Sequence, residues 1–87
     1  MESAEVAAKI KQAIPDAEIQ VEGADCSFSV VVLSQQFEKM MPVKRQQRIL
    51  ACFSDLLGSG ALHALSVKAH TPAEWATLQQ SRLLQSS

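Results

Sequence analysis

The apolar positions of the chain alternate between a helical rhythm and a strand rhythm. Near the N-terminus, Val6, Ala7, Ile10, Ala13 and Ile14 recur at helical spacing, which predicts an amphipathic helix over Ser3–Ile14. Ser3 suits its N-cap and Glu5 favours the positive end of its dipole. Pro15 stops it, because a residue before proline avoids helical backbone. The rhythm then changes to period two. Ile19 and Val21 alternate with Glu18, Gln20 and Glu22, predicting a half-buried strand over Ala17–Glu22. A polar turn, Gly23-Ala24-Asp25-Cys26-Ser27, follows. Phe28–Leu33 is apolar on both faces in its second half, the pattern of a central strand. The short link makes the two strands an antiparallel hairpin.

Ser34–Met41 reads as irregular or a single helical turn, anchored by Phe37. A second helix is predicted over Pro42–Leu57. Val43, Gln46, Leu50, Phe53 and Leu57 mark its buried stripe, widened by Ile49 and Leu56, with Lys44, Arg45 and Arg48 on the opposite side. Gly58-Ser59-Gly60 ends it. The third strand spans Leu62–Ala69. His63, Leu65, Val67 and Ala69 share one face, and Leu62, Ala64, Ser66 and Lys68 the other. Thr71, Pro72 and Glu74 then spell a capping box with proline at the first helical position. The last helix runs from Pro72 to about Leu84, anchored by Trp75 and Leu78, and Gln85–Ser87 should fray. A strand-helix-strand crossover is right-handed and makes its strands parallel. The order α-β-β-α-β-α therefore predicts an α+β fold: a three-stranded mixed sheet with helices on one face, in a single domain over residues 1–87.

Composition narrows the function classes. Eighty-seven residues, 47% apolar and 20% charged, suit one small soluble core. No apolar run approaches the roughly 20 residues of a membrane span. The acidic start Met1-Glu2-Ser3-Ala4-Glu5 lacks the features of a signal peptide, so a cytoplasmic protein is expected. The two cysteines, Cys26 and Cys52, form no Cys-x-x-Cys motif, which disfavours a dithiol redox site or a self-sufficient metal knuckle. The net charge of −1 lacks the basic balance of dedicated nucleic-acid binders. Lys39, Lys44, Arg45 and Arg48 nevertheless cluster mid-chain, facing an acidic partner, DNA or simply solvent. No serine–histidine–acid set, phosphate loop or paired carboxylates stand out, so no enzyme is expected.

The stretch His63-Ala64-Leu65-Ser66-Val67-Lys68-Ala69 followed by Thr71-Pro72-Ala73-Glu74-Trp75 resembles the C-terminal signature of the BolA family. Val31-Val32-Leu33-Ser34 with Phe37-Glu38, then Val43 and Arg45-Gln46-Gln47-Arg48, resembles its middle segment. The likeness covers Ile19 to Trp75. It implies the class II KH-like arrangement of that family. One departure stands out: family members often show Phe-Glu-Gly-Lys, where this chain has Phe37-Glu38-Lys39-Met40.

By itself, a lone histidine at a strand start reads as a structural residue bonded to backbone. The resemblance places His63 at the family's characteristic histidine, which is associated with a 2Fe–2S cluster shared with a monothiol glutaredoxin and glutathione. Imidazole is a good borderline ligand for iron, and replacing thiolate by histidine raises a cluster's potential. The family also carries a histidine or cysteine in the loop before the second strand, where this chain offers Cys26. Cys52 reads as packing and His70 as solvent-exposed. The implied function is a non-enzymatic adaptor in iron–sulfur trafficking or iron and stress regulation, working as a monomer or weak homodimer. The alternative is a DNA-binding transcriptional regulator using Lys44, Arg45 and Arg48. RNA clamping of the KH kind needs a Gly-x-x-Gly loop, which this chain lacks.

Overall fold

The computed structural model describes residues 2–24 and 27–85. The turn residues Asp25 and Cys26, and the expected frayed end Ser86–Ser87, lie outside the described residues. The chain runs α1 (Ser3–Ala13), β1 (Glu18–Ala24), β2 (Ser27–Leu33), a 3₁₀ turn (Gln35–Phe37), α2 (Pro42–Ala51), α3 (Ser54–Ser59), β3 (Ala64–His70) and α4 (Pro72–Gln85). The three strands form one sheet in the order β1-β2-β3. β1 and β2 are antiparallel, from Glu18↔Leu33 to Ala24↔Ser27. β2 and β3 are parallel, from Ser27↔Ala64 to Leu33↔His70. β2 is therefore the central strand, as its apolar run predicts.

One sheet face carries the core. Ile19 and Val21 of β1, Phe28, Val30 and Val32 of β2, and Leu65, Val67 and Ala69 of β3 meet Val6, Ile10 and Ile14 of α1 and Ile49 of α2. Phe37, Phe53 and Leu62 complete it, each fully buried. A side chain of this size buried completely contributes roughly 1.5–3 kcal/mol through the water it sheds. α4 leaves from the end of β3 instead. Its Trp75 and Gln79 line a hollow on the opposite face, with Gln20, Glu22, Ser29, Val31, Ser66 and Lys68.

Several expectations are adjusted. The helix predicted over Pro42–Leu57 is two helices, with a turn at Cys52 and Phe53. Neither glycine nor proline marks the break; the turn directs the Phe53 ring wholly into the core. The inward face of α2 is also rotated from the predicted stripe. Arg45 and Ile49 are its buried residues, while Gln46 is exposed and Val43 is 61% exposed. The cap of α1 is Glu2, not Ser3, and no side chain closes it. Lys39 holds φ = 66°, so the loop keeps a left-handed residue where the family often has glycine. Gly60, at φ = 82°, ends α3 as the Gly-Ser-Gly run predicts. The Thr71–Glu74 capping box forms: the Thr71 N–H donates to Glu74 Oε1 at 2.9 Å, and the Glu74 N–H to Thr71 Oγ1 at 3.2 Å.

Candidate functional site

The third strand begins later than its pattern predicts, and this decides where His63 sits. Alternation carried back to Leu62 puts His63 with the inward residues Leu65, Val67 and Ala69. The chain instead bends at Ala61 and Leu62, before the ladder starts at Ala64. Leu62 is fully buried, and its N–H donates to Leu56 O at 3.0 Å. His63 is exposed. The outcome inverts the predicted pair: leucine goes in and histidine goes out, since period two holds only within paired strand. His63 is thus held between an anchored Leu62 and a paired Ala64, with a ring that makes no hydrogen bond among the described residues. Imidazole is a ligand type that suits iron, copper or zinc.

One imidazole cannot hold a cluster. Among the described residues, no group of three or more His, Cys, Asp or Glu side chains comes together. Among these residues His63 could supply one ligand of a metal centre, not a complete set. Cys26 lies outside the described residues; in sequence it precedes Ser27 as His63 precedes Ala64, and Ser27 and Ala64 are register partners. Cys52 is half-buried, its thiol 3.6 Å from Arg48 O, in keeping with packing.

The basic cluster does not present three free cations. Arg45 is 7% exposed and lies inward, not opposite the buried stripe. Its guanidinium donates to Glu74 at 2.6 and 3.1 Å, to Met40 O at 3.0 Å and to Ala69 O at 3.2 Å. It lies 5.9 Å from the Phe37 ring centroid. A buried charge persists only when paired and hydrogen-bonded, and Glu74 meets that need. Arg45 bonding and the Thr71 N–H together draw the Glu74 pKa down to about 2, and Glu74 raises that of Arg45. Arg48 donates to Gln36 Oε1 at 2.5 Å and to Ala13 O at 3.3 Å. Of the three, Lys44 alone is exposed.

Sequence reading missed this junction. Thr71-x-x-Glu74 signals the cap, but nothing local signals that Glu74 also receives an arginine from α2. A second junction was equally silent. Asp16 accepts from Ser34 Oγ at 2.8 and 2.9 Å, from the Gln35 N–H at 3.1 Å and from Gln36 Nε2 at 3.0 Å. These hydrogen bonds, the Ser34 hydroxyl's first, hold its carboxyl below the usual carboxylate range. His70 is less open than expected, its side chain 28% exposed, with its ring stacked on Trp75 at 5.7 Å. Leu78 is 43% exposed and anchors little.

The geometry has clear counterparts. The sequence profile of the family described as BolA-like protein matches residues 2–74. The acid stress protein IbaG of Escherichia coli is 34% identical over 76 residues, covering 87% of this chain and 90% of its own. A bolA protein homologue from Coxiella burnetii superposes with a TM-score of 0.75 at 25% identity, covering 87% of this chain and 97% of that one. The BolA domain of SufE1 from Arabidopsis thaliana gives 0.73 at 30% identity, over 85% and 98%. A profile match over most of the chain and a relative matched over nearly its whole length show that the chain belongs to the BolA-like family.

Proposed function

We propose that this protein is a non-enzymatic adaptor that pairs with a monothiol glutaredoxin and lends His63 to a bridging 2Fe–2S cluster. The observation that carries the reading is the exposed His63 ring, without a hydrogen bond among the described residues and fixed by neighbours that are buried on one side and paired on the other. The resemblance to a BolA domain joined to SufE1 supports an iron–sulfur setting. The partner's cysteine and glutathione would supply the thiolates, with Cys26 as this chain's second candidate. The chain's own residues orient the imidazole; the cluster, when bound, supplies the redox or transfer chemistry.

The test is anaerobic cluster reconstitution with a monothiol glutaredoxin and glutathione, followed by visible absorption and circular dichroism. The heterodimer is expected to give a spectrum distinct from the glutaredoxin alone, and His63→Ala to return it toward the glutaredoxin form. An unchanged spectrum in His63→Ala overturns the ligand assignment. The same comparison with Cys26→Ser decides that residue's part.

A further inference from the structure

The structure assigns a small-molecule site to the sheet face opposite the core: the hollow beside Trp75 takes a single nucleobase-type ligand, a nucleoside or nucleoside monophosphate, stacked on the indole. The hollow measures about 450 Å³, within the roughly 300–1,000 Å³ of small-molecule sites. His63 is not among its lining residues, so the assignment stands apart from any role of that histidine.

Strand register lays out the floor as a grid. One row across the sheet is Glu22–Ser29–Ser66, and the next is Gln20–Val31–Lys68. Period two turns these side chains away from the face on which Val21, Val30 and Val67 meet the core. Val31 is half-buried among exposed polar neighbours. Trp75 and Gln79, one helical turn apart on α4, make the wall.

Trp75 is held in place without a ligand. Its backbone N–H donates to Thr71 O at 3.0 Å, in the turn fixed by the Thr71–Glu74 box and by Arg45. The His70 ring stacks on the indole, with centroids 5.7 Å and planes 29° apart. His70 lines a different hollow, so this stack leaves indole surface for the sheet side. The indole is half-buried, and its Nε1–H makes no hydrogen bond among the described residues. An aromatic surface fixed beforehand lowers the ordering cost of stacking a base.

The lining selects the ligand class. Val31 and the indole suit a flat apolar face, while Gln20, Gln79, Ser29 and Ser66 offer donors and acceptors to a polar edge. A nucleobase has both. Lys68 is the one cation of the lining and belongs to no ion pair among the described residues, which suits one phosphate. A nucleic-acid strand fits worse. Glu18 and Glu22 stand on the same face of β1, where they would repel further phosphates.

The experiment is ¹⁵N NMR of the full chain titrated with adenosine and, separately, with adenosine monophosphate. Trp75 is the only tryptophan, so a single indole N–H signal reports the hollow. Both ligands are expected to shift that signal and the Val31 and Lys68 amides saturably, with Kd of about 1 mM or tighter. Lys68 is exposed, so Lys68→Ala spares the fold; it should weaken the monophosphate at least about threefold and leave adenosine unchanged. Trp75→Leu should abolish the Val31 shift, and His63→Ala should bind both ligands as the wild type does. Absence of a saturable shift up to about 10 mM overturns the site. Equal shifts from methyl glucoside at the same concentration overturn the nucleobase class. Binding of a single-stranded oligonucleotide that tightens with its length overturns the single-ligand assignment.

Discussion

Arg45 offers the sharpest test of how the site is held, because sequence and structure assign it opposite roles. As a surface cation it would tolerate removal, with changes within about ±0.5 kcal/mol. In the structure its side chain is 8% exposed, and it ties the loop before α2, the end of β3 and the first turn of α4 together. Arg45→Ala leaves the Met40 and Ala69 carbonyls without their donor, at about 1–1.5 kcal/mol each. It also strips Glu74 of its bidentate partner. Breaking a fully buried pair costs about 3–5 kcal/mol, but the Glu74 side chain is 45% exposed and can rehydrate, so about 1 kcal/mol is assigned to it. The sum is a loss of roughly 3–4 kcal/mol. Arg45→Lys keeps the charge but not the fork, and should lose about half of that. The assay is urea unfolding at pH 7 followed by far-UV circular dichroism, with Lys44→Ala as the exposed control. A double-mutant cycle with Glu74→Gln should give a coupling of at least about 1 kcal/mol. If Arg45→Ala falls within about 0.5 kcal/mol of Lys44→Ala, the junction does not hold the fold and the argument is refuted.

Three further outcomes follow from particular positions. Lys39→Gly relieves a left-handed lysine (φ = 66°), a strain of roughly 1–2 kcal/mol, against the extra chain entropy of glycine. The net gain is about 0.5–1 kcal/mol, a rise in Tm of roughly 3–6 °C by differential scanning calorimetry. Gly23→Ala should cost at least about 2 kcal/mol in urea unfolding, because φ is +114° and the new methyl would sit 2.4 Å from Ser27 O. Glu74, drawn from 4.5 to about 2, is a depressed acid. Its contribution is full above about pH 4.5 and lost as pH falls toward 2; screening of its half-exposed carboxylate reduces it to about 1–2 kcal/mol. The stability gap between wild type and Glu74→Gln should therefore close over that window, with a gap independent of pH contradicting the assignment.

Much of the fold is legible along the chain because it depends on local signals. The apolar run of β2 announces a central strand, Pro15 ends α1, and Thr71 with Glu74 announces the start of α4. What escapes is set by contacts distant in sequence. Arg45 goes inward because Glu74, 29 residues on, is there to meet it. The break at Cys52 and Phe53 follows from where the Phe53 ring must go, and no breaker residue records it. The candidate site shows the same division. His63 is singled out by the motif it resembles, but its exposure depends on Leu62 being drawn into the core ahead of the first paired residue, which alternation alone assigns the wrong way round.

The adaptor reading is tested most directly by pulsed EPR on the reduced cluster of the heterodimer, with ¹⁵N-histidine incorporated into this chain only. A directly ligated imidazole nitrogen should give strong hyperfine coupling to the cluster, and that coupling should vanish in His63→Ala while the fold is unchanged. Absence of the coupling in the wild type, or its persistence in His63→Ala, would contradict the assignment of His63 as a cluster ligand.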